Sequence, residues 1–468
     1  MNRMNRFSVI AVALLILITL AGCGSTAKND QAEEQVLSQE RVDEIHGLSV
    51  QLTGYLAVGD IASASAMLDD TMKKAMDGKL ADTWSELVKS LGAFIETGGY
   101  TGTVDQGYDI LEMTLAFEQG TLIQRTVYGR DNLIAGLFFR NGKIEDLTGA
   151  ALPEGVSEVD VTVDSGEGYP LPGKLTLPKD AKPRAAVILI HGSGPNNMDE
   201  AVGANAPFCD LAYGLAAKGI AVLRYDKRTL IHGAAMVASH GASGITIDEE
   251  VAFDALAAVK LLRQREEISG CKVYLLGHSL GGGLLSYINS LGAGCDGYII
   301  MAGTPRNMWE LSAEQNLLLA GDLEQSGDAA KAEEARQFVA SEQQRASALA
   351  EMKDGDTLFG IPAVYLQKLE QIDAIALHLK DGLPVLVLQG EKDRQVTMKD
   401  FALWQAALAG SPAATFISYP GLNHLFGAYE GDPAPFAQLV EVEYSQDTPV
   451  PDEVIKDIAD WLNRAARL

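Results

Sequence analysis

Lys272-Val273-Tyr274-Leu275-Leu276-Gly277-His278-Ser279-Leu280-Gly281-Gly282-Gly283-Leu284 is the stretch whose reading decides the fold. Its first half is a short apolar run, the pattern of a strand buried on both faces, and its second half opens a helix. Between them, Gly277-His278-Ser279-Leu280-Gly281 has the form G-x-S-x-G. As five letters this is a weak signal. Set between a strand and a helix it becomes a sharp turn that presents the Ser279 hydroxyl at a strand tip, with glycines permitting the tight backbone. The competing reading, an inert serine in a Gly-rich turn, does not need that context.

Outward from this turn, residues 185–190, 220–225, 298–301, 384–389 and 415–419 are further apolar runs of strand length. Helical stretches separate them. One is 247–265, where Thr246 and Glu249 have capping-box spacing and Val251, Ala255, Val259 and Leu262 share a face. Such alternation predicts an α/β domain over 156–468 with a mostly parallel sheet covered by helices. Residues 156–163 and 171–177 read as an antiparallel hairpin leading into it. The segment 307–380, rich in Ala, Glu, Gln and Leu, is helical in propensity and lacks a core strand, so it reads as a cap.

A serine hydroxyl is a poor nucleophile at neutral pH, so Ser279 needs a positioned base, itself oriented by an acid. Of the 7 histidines, His424 in Tyr419-Pro420-Gly421-Leu422-Asn423-His424 follows the last predicted strand and fits best. His46 falls in the N-terminal region, His278 in the serine turn, His378 in the cap, and His232 and His240 in a loop. Asp393, in Gln389-Gly390-Glu391-Lys392-Asp393, is the expected acid, with Glu391 as rival. An oxyanion needs two backbone donors. Leu280, following the nucleophile, is one; Ser193 in His191-Gly192-Ser193-Gly194-Pro195 is the other, with Gly192 as the fallback. His191 ends a core strand and reads as a residue that holds this loop rather than as a base. Arg224-Tyr225-Asp226-Lys227-Arg228 ends a strand on the same edge; contact with substrate is its functional reading and an ion-paired loop the preferred one.

Composition bounds the rest. The 468 residues suffice for two or three domains, and 47% hydrophobic with 21% charged residues is globular. With 37 basic against 63 acidic residues the net charge is −26, which, without a basic patch, excludes nucleic acid as a partner. Arg3 and Arg6, an apolar run over 9–20 and then small residues have the order of a secretory signal over 1–22. Leu20-Ala21-Gly22-Cys23 resembles the lipobox of bacterial lipoproteins. That resemblance implies lipid attachment at Cys23, export, and anchoring to the cell membrane or envelope; 23–35 then reads as a tether. Cys209, Cys271 and Cys295 remain, without metal-ligand spacing, so no metal is implied. Cys271 and Cys295 precede adjacent strands and could approach each other; two unpaired thiols is the preferred reading.

Residues 36–150 read as a separate α+β domain. Helices are expected over 41–56 and 61–76, followed by three strands beginning with the alternation of Leu111, Met113, Leu115 and Phe117. No catalytic cluster occurs there, and its role is open. The arrangement resembles the cone-shaped domain of unknown function that precedes the hydrolase domain in some bacterial esterases.

The four loop motifs around His191, Ser279, Asp393 and His424 together resemble the α/β-hydrolase superfamily, and within it bacterial carboxylesterases with an extra N-terminal domain. The resemblance covers about 156–468. It implies nucleophile, acid and base at Ser279, Asp393 and His424, the positions already reached from chemistry. The expected activity is hydrolysis of small-molecule carboxylic esters through an acyl-enzyme, with no cofactor required. Two rivals remain. A serine aminopeptidase or acyl-peptide hydrolase would use the same triad and need a carboxylate for the substrate amine, for which the cap offers Glu310, Glu314, Glu333 and Glu334. Thr229, where related aminopeptidases have Gly after Asp-x-Arg, weakens that reading. A surface binding protein could keep the fold without the chemistry.

Overall fold

The computed structural model describes residues 37–76, 78–105, 108–141, 152–241 and 244–466. The signal, the tether and Cys23 lie outside the described residues. The described chain forms two units, divided between Leu152 and Pro153.

The first unit begins with the helices Gln39–Ala57, Ile61–Ala66, Asp70–Ala75 and Leu80–Leu91. An antiparallel sheet follows, of β1 (Phe94–Asp105), β2 (Tyr108–Phe117), β3 (Gly120–Tyr128) and β4 (Ile134–Asn141), in the order β1-β2-β3-β4. Ile45, Leu52 and Leu56 of the first helix share one buried cluster with Leu111, Met113 and Leu115 of β2. Two expectations fail here. The helix expected over 61–76 breaks, because Leu68 pairs with Ile134 and the Asp69 carboxylate caps a new helix at the Met72 N–H, 2.7 Å away. The sheet has four strands instead of three. β1 shows no apolar alternation because Gly98 and Gly102 interrupt it. A Cβ at Gly102 would stand 2.7 Å from the Val42 side chain, so the helix packs where a side chain would otherwise be.

The second unit is an α/β domain built on one mostly parallel sheet. Its strands are β5 (Val156–Val163), β6 (Leu171–Pro178), β7 (Ala185–Ile190), β8 (Ala221–Tyr225), β9 (Lys272–His278) and β10 (Tyr298–Met301). A two-residue pair in the cap, β11 (Thr357–Leu358) and β12 (Ile361–Pro362), precedes β13 (Val385–Gly390) and β14 (Ala414–Tyr419). The main sheet runs β14-β13-β10-β9-β7-β8-β6-β5, parallel from β14 to β8 and antiparallel over β6 and β5. The central strands are buried on both faces, which is why they read as unbroken apolar runs. On one face lie helices Phe253–Arg263 and Leu280–Ile288, on the other Pro207–Ala217 and Asp452–Ala465. The helix expected over 247–265 starts as a wide turn, Asp248–Ala252, with the Glu249 carboxylate accepting from the Thr246 N–H at 2.8 Å. The cap consists of helices Met308–Gln325, Ala329–Ala346, Ala363–Glu370 and Ala374–Asp381. Cys209, Cys271 and Cys295 are free thiols.

Candidate active site

Parallel strands end on one edge of the sheet, and the loops that follow them there carry the site. β9 pairs with β7 and β10 on either side, Leu276 standing against Leu189 and Ile299, so its tip is fixed from both flanks. Ser279 comes directly after it with φ 53° and ψ −120°, a left-handed conformation that costs a non-glycine residue roughly 1–3 kcal/mol. The Ser279 N–H donates to the Met301 carbonyl at 2.9 Å, and the helix begins at Leu280. A Cβ at Gly277 would lie 2.4 Å from the Gly281 carbonyl group, and one at Gly281 would lie 2.4 Å from the Ile190 oxygen. Both positions therefore need glycine, which gives the G-x-S-x-G spacing a steric cause.

Asp393 lies beyond the tip of β13 and is 5% exposed. Its Oδ1 accepts the N–H groups of Gln395 and Val396 at 2.7 and 2.9 Å. Its Oδ2 accepts from Gln389 Nε2 at 3.0 Å and from His424 Nδ1 at 2.7 Å. That bond makes Nδ1 the donor, which in the neutral imidazole leaves Nε2 as the acceptor nitrogen. The two loops meet backbone to backbone, since a Cβ at Gly390 would stand 2.4 Å from the Leu422 carbonyl oxygen. The rival Glu391 accepts from the Ser418 hydroxyl at 2.8 Å in an exposed setting, away from the imidazole.

His424 sits against the residue that precedes the serine. Its carbonyl accepts the His278 Nε2–H at 2.9 Å and the two rings are 4.7 Å apart. His278 Nδ1 in turn faces Glu200 Oε2 at 2.9 Å, an ion-pair distance without hydrogen-bond alignment. Burial opposes charge on both groups. Their mutual attraction outweighs it, raising His278 above the ordinary histidine value and lowering Glu200 below the ordinary glutamate value.

The loop after β7 lies over the serine: a Cβ at Gly192 would be 3.1 Å from Ser279 Cβ. The Gly192 N–H donates to Glu200 Oε1 at 2.6 Å, so the fallback oxyanion donor is already engaged. The Ser193 N–H finds no acceptor among the described residues. As first residue of its helix, Leu280 has no intrahelical acceptor either. His191 is held by the Asn197 carbonyl at 3.1 Å and is pushed down to about 4 by burial, so it stays neutral and structural. The other histidines are engaged elsewhere: His232 with the Pro170 carbonyl, His240 with Ser239, His378 beside Tyr298, and His46 on Tyr100.

Residues 181–428 match the family described as serine aminopeptidase, S33. Esterase EstD of Thermotoga maritima is 34% identical over 411 residues, which cover 87% of this chain and 93% of the relative. The chain belongs to the α/β-hydrolase superfamily. Within it, the chain is of the carboxylesterase type that carries an extra N-terminal α+β domain; residues 49–137 match a family of proteins of unknown function, DUF3887. Among solved structures, Est1E of Butyrivibrio proteoclasticus is 14% identical with a TM-score of 0.40, covering 66% of this chain and 99% of that one. An esterase of Pyrococcus furiosus is 14% identical with a TM-score of 0.40, covering 70% and 95%.

Glu200 escapes the sequence reading; Lys227 reads as part of an ion-paired loop, which its contact with Glu250 at 2.5 Å bears out, but its bond to Gly192 is not foreseen. Glu200 and Lys227 both bond Gly192, and no spacing rule connects a carboxylate eight residues downstream, or a lysine after another strand, to that glycine.

Proposed function

We propose that this carboxylesterase works through Ser279, His424 and Asp393. The observation that carries the reading is the buried Asp393–His424 bond of 2.7 Å, with the imidazole set against the residue preceding a strained serine. Ser279 Oγ attacks the ester carbonyl carbon while His424 Nε2 takes its proton. Asp393 keeps the ring in the Nδ1–H tautomer and balances the imidazolium. The N–H groups of Leu280 and Ser193 receive the oxyanion. Collapse of the tetrahedral species expels the alcohol, which takes the proton from His424. Water, deprotonated by the same nitrogen, then releases the carboxylic acid and frees the serine. A recess beside the elbow, lined by Leu280, Leu284, Met308 and Leu369 together with the polar Thr304 and Arg306, supports a place for the acyl or alcohol group.

The family description favours a second reading, an aminopeptidase. That enzyme needs a free carboxylate for the substrate amine. Glu314, however, is paired with Arg306 at 2.6 Å and Lys399 at 2.7 Å, and Glu310 closes the capping box at Asn307. Glu333 and Glu334 are exposed on the cap surface. The test compares p-nitrophenyl acyl esters of rising chain length with aminoacyl anilides, with Ser279→Ala as control. Ester turnover that disappears in the variant is expected; anilide cleavage without ester cleavage would reverse the order of the two readings.

On the lipobox resemblance alone, we also propose export and lipid attachment at Cys23. Incorporation of labelled fatty acid that is abolished by Cys23→Ala is the expected result, and unchanged incorporation would refute it.

A further inference from the structure

Two buried charged side chains grip the backbone of Gly192 from opposite ends. Glu200 Oε1 accepts its N–H at 2.6 Å, and Lys227 Nζ donates to its carbonyl at 2.7 Å. Lys227 is 2% exposed, and its ammonium meets one carboxylate, Glu250 Oε1, at 2.5 Å. Withdrawing an ammonium and a carboxylate from water carries a desolvation penalty that their mutual attraction does little more than return. Stability alone is a poor reason for the pair. Its position at Gly192 suggests a better one.

The peptide between Gly192 and Ser193 is planar and trans, so its C=O and N–H point in opposite directions. A donor that fixes the Gly192 carbonyl thereby fixes the direction of the Ser193 N–H. A cation on the carbonyl oxygen also draws electron density along the amide and makes the N–H at its other end a stronger donor. That N–H has no acceptor among the described residues, and its loop lies over Ser279.

We infer that Lys227 is a positioning residue of the oxyanion hole: by holding the Gly192 carbonyl, it aims and strengthens the Ser193 N–H for the tetrahedral intermediate, with Glu250 balancing its charge. The inference rests on the reading of Ser193 as an oxyanion donor. It gives a function to the motif Asp226-Lys227-Arg228, whose sequence reading was an ion-paired loop. Glu250 is also met by the Tyr365 phenol of the cap, which ties the same anchor to the cap.

The test uses the full chain and four variants. Lys227→Met removes the ammonium. Lys227→Met with Glu250→Gln removes both charges, so no unpaired ion stays buried. Lys227→Gln with Glu250→Gln keeps a neutral donor of shorter reach. Ser193→Pro deletes the N–H itself. Turnover of p-nitrophenyl acetate is referred to sites titrated with a fluorophosphonate, so unfolded protein does not count. Binding of phenylboronic acid, which forms a tetrahedral adduct on the serine, is measured beside it. For the Met/Gln variant, kcat falls roughly 10- to 100-fold at unchanged KM, less than the roughly 100- to 1,000-fold typical of deleting a donor. Boronate affinity falls by the same factor as kcat/KM, and the Gln/Gln variant lies between it and the parent. A purely structural role would lower the melting temperature and leave kcat per titrated site and boronate affinity unchanged, and that result overturns the inference. Full activity in Ser193→Pro would overturn the oxyanion reading beneath it; loss of activity there, with parental Lys227 variants, would overturn the inference alone.

Discussion

The two units bury polar groups of different kinds. In the N-terminal unit the buried polar side chains are neutral: Ser49, Thr53, Thr114, Gln124 and Thr126. Several satisfy one another between the first helix and β3, Ser49 with Tyr128 at 2.7 Å and Thr53 with Gln124 at 2.9 Å. Among the described residues, every buried lysine, arginine, histidine or carboxylate belongs to the hydrolase unit. Many of these ions stand behind the loops of the catalytic edge: Glu200 and Lys227 on Gly192, Arg228 on Asp254, and Asp400 on Arg306. A neutral network joins elements at little electrostatic cost. Ions out of water are tolerated where they hold a loop to a fraction of an ångström. The contrast separates a unit joined by neutral polar contacts from a hydrolase unit that keeps buried ions behind its candidate site.

The largest expected effect tests the catalytic side. Asp393→Asn should keep the fold and lower kcat by on the order of 10⁴, because the amide stabilises the wrong imidazole tautomer. A drop below tenfold in steady-state kinetics would remove Asp393 from the mechanism. Next is a structural ion pair. Asp254→Asn leaves Arg228, 1% exposed, without its main partner. It should destabilise the hydrolase unit by roughly 3–5 kcal/mol in urea unfolding, and a change under 1 kcal/mol would mean that water reaches the pair. Gln124→Leu should cost about 1–3 kcal/mol in the N-terminal unit, since it removes the buried amide that bonds Thr53, Thr126 and the Ser49 carbonyl, and should leave ester turnover per titrated site unchanged. Altered turnover there would break the division between the units.

The smallest effect is in pH. His278 is raised above 6.5 in the fold, so its pairing with Glu200 contributes fully below that value and is lost as pH rises through the raised one. Glu200 is lowered below 4.5, so its share is present above that value and lost as pH falls through the lowered one. The pair is therefore strongest between about 4.5 and 6.5. Melting temperatures of the parent and Glu200→Gln should differ most in that window and converge above it; a constant difference would show that the pair is not ionic.

The sequence exposed the parts of this molecule whose signal is local. Strands buried on both faces read as unbroken apolar runs, and the serine turn reads as glycines placed where a Cβ would strike backbone. Asp393 and His424 were legible because each follows a strand that ends on the same edge. β1 was hidden, since its Gly102 serves a close approach by Val42, a residue far away in sequence. The break at Leu68 was hidden for a like reason: its partner Ile134 comes 66 residues later. The ion pairing of Lys227 was legible, but Glu200 and the bond from Lys227 to Gly192 were not, because hydrogen bonds to a backbone leave no spacing in the chain.

The most direct measurement is the site of covalent capture. The protein is reacted to completion with a fluorophosphonate, weighed intact, and mapped by peptide mass spectrometry while residual ester turnover is followed. One adduct per chain, on Ser279, accumulating in step with loss of turnover, is the predicted result. An adduct on another residue, or full turnover after Ser279 is modified, would contradict the account.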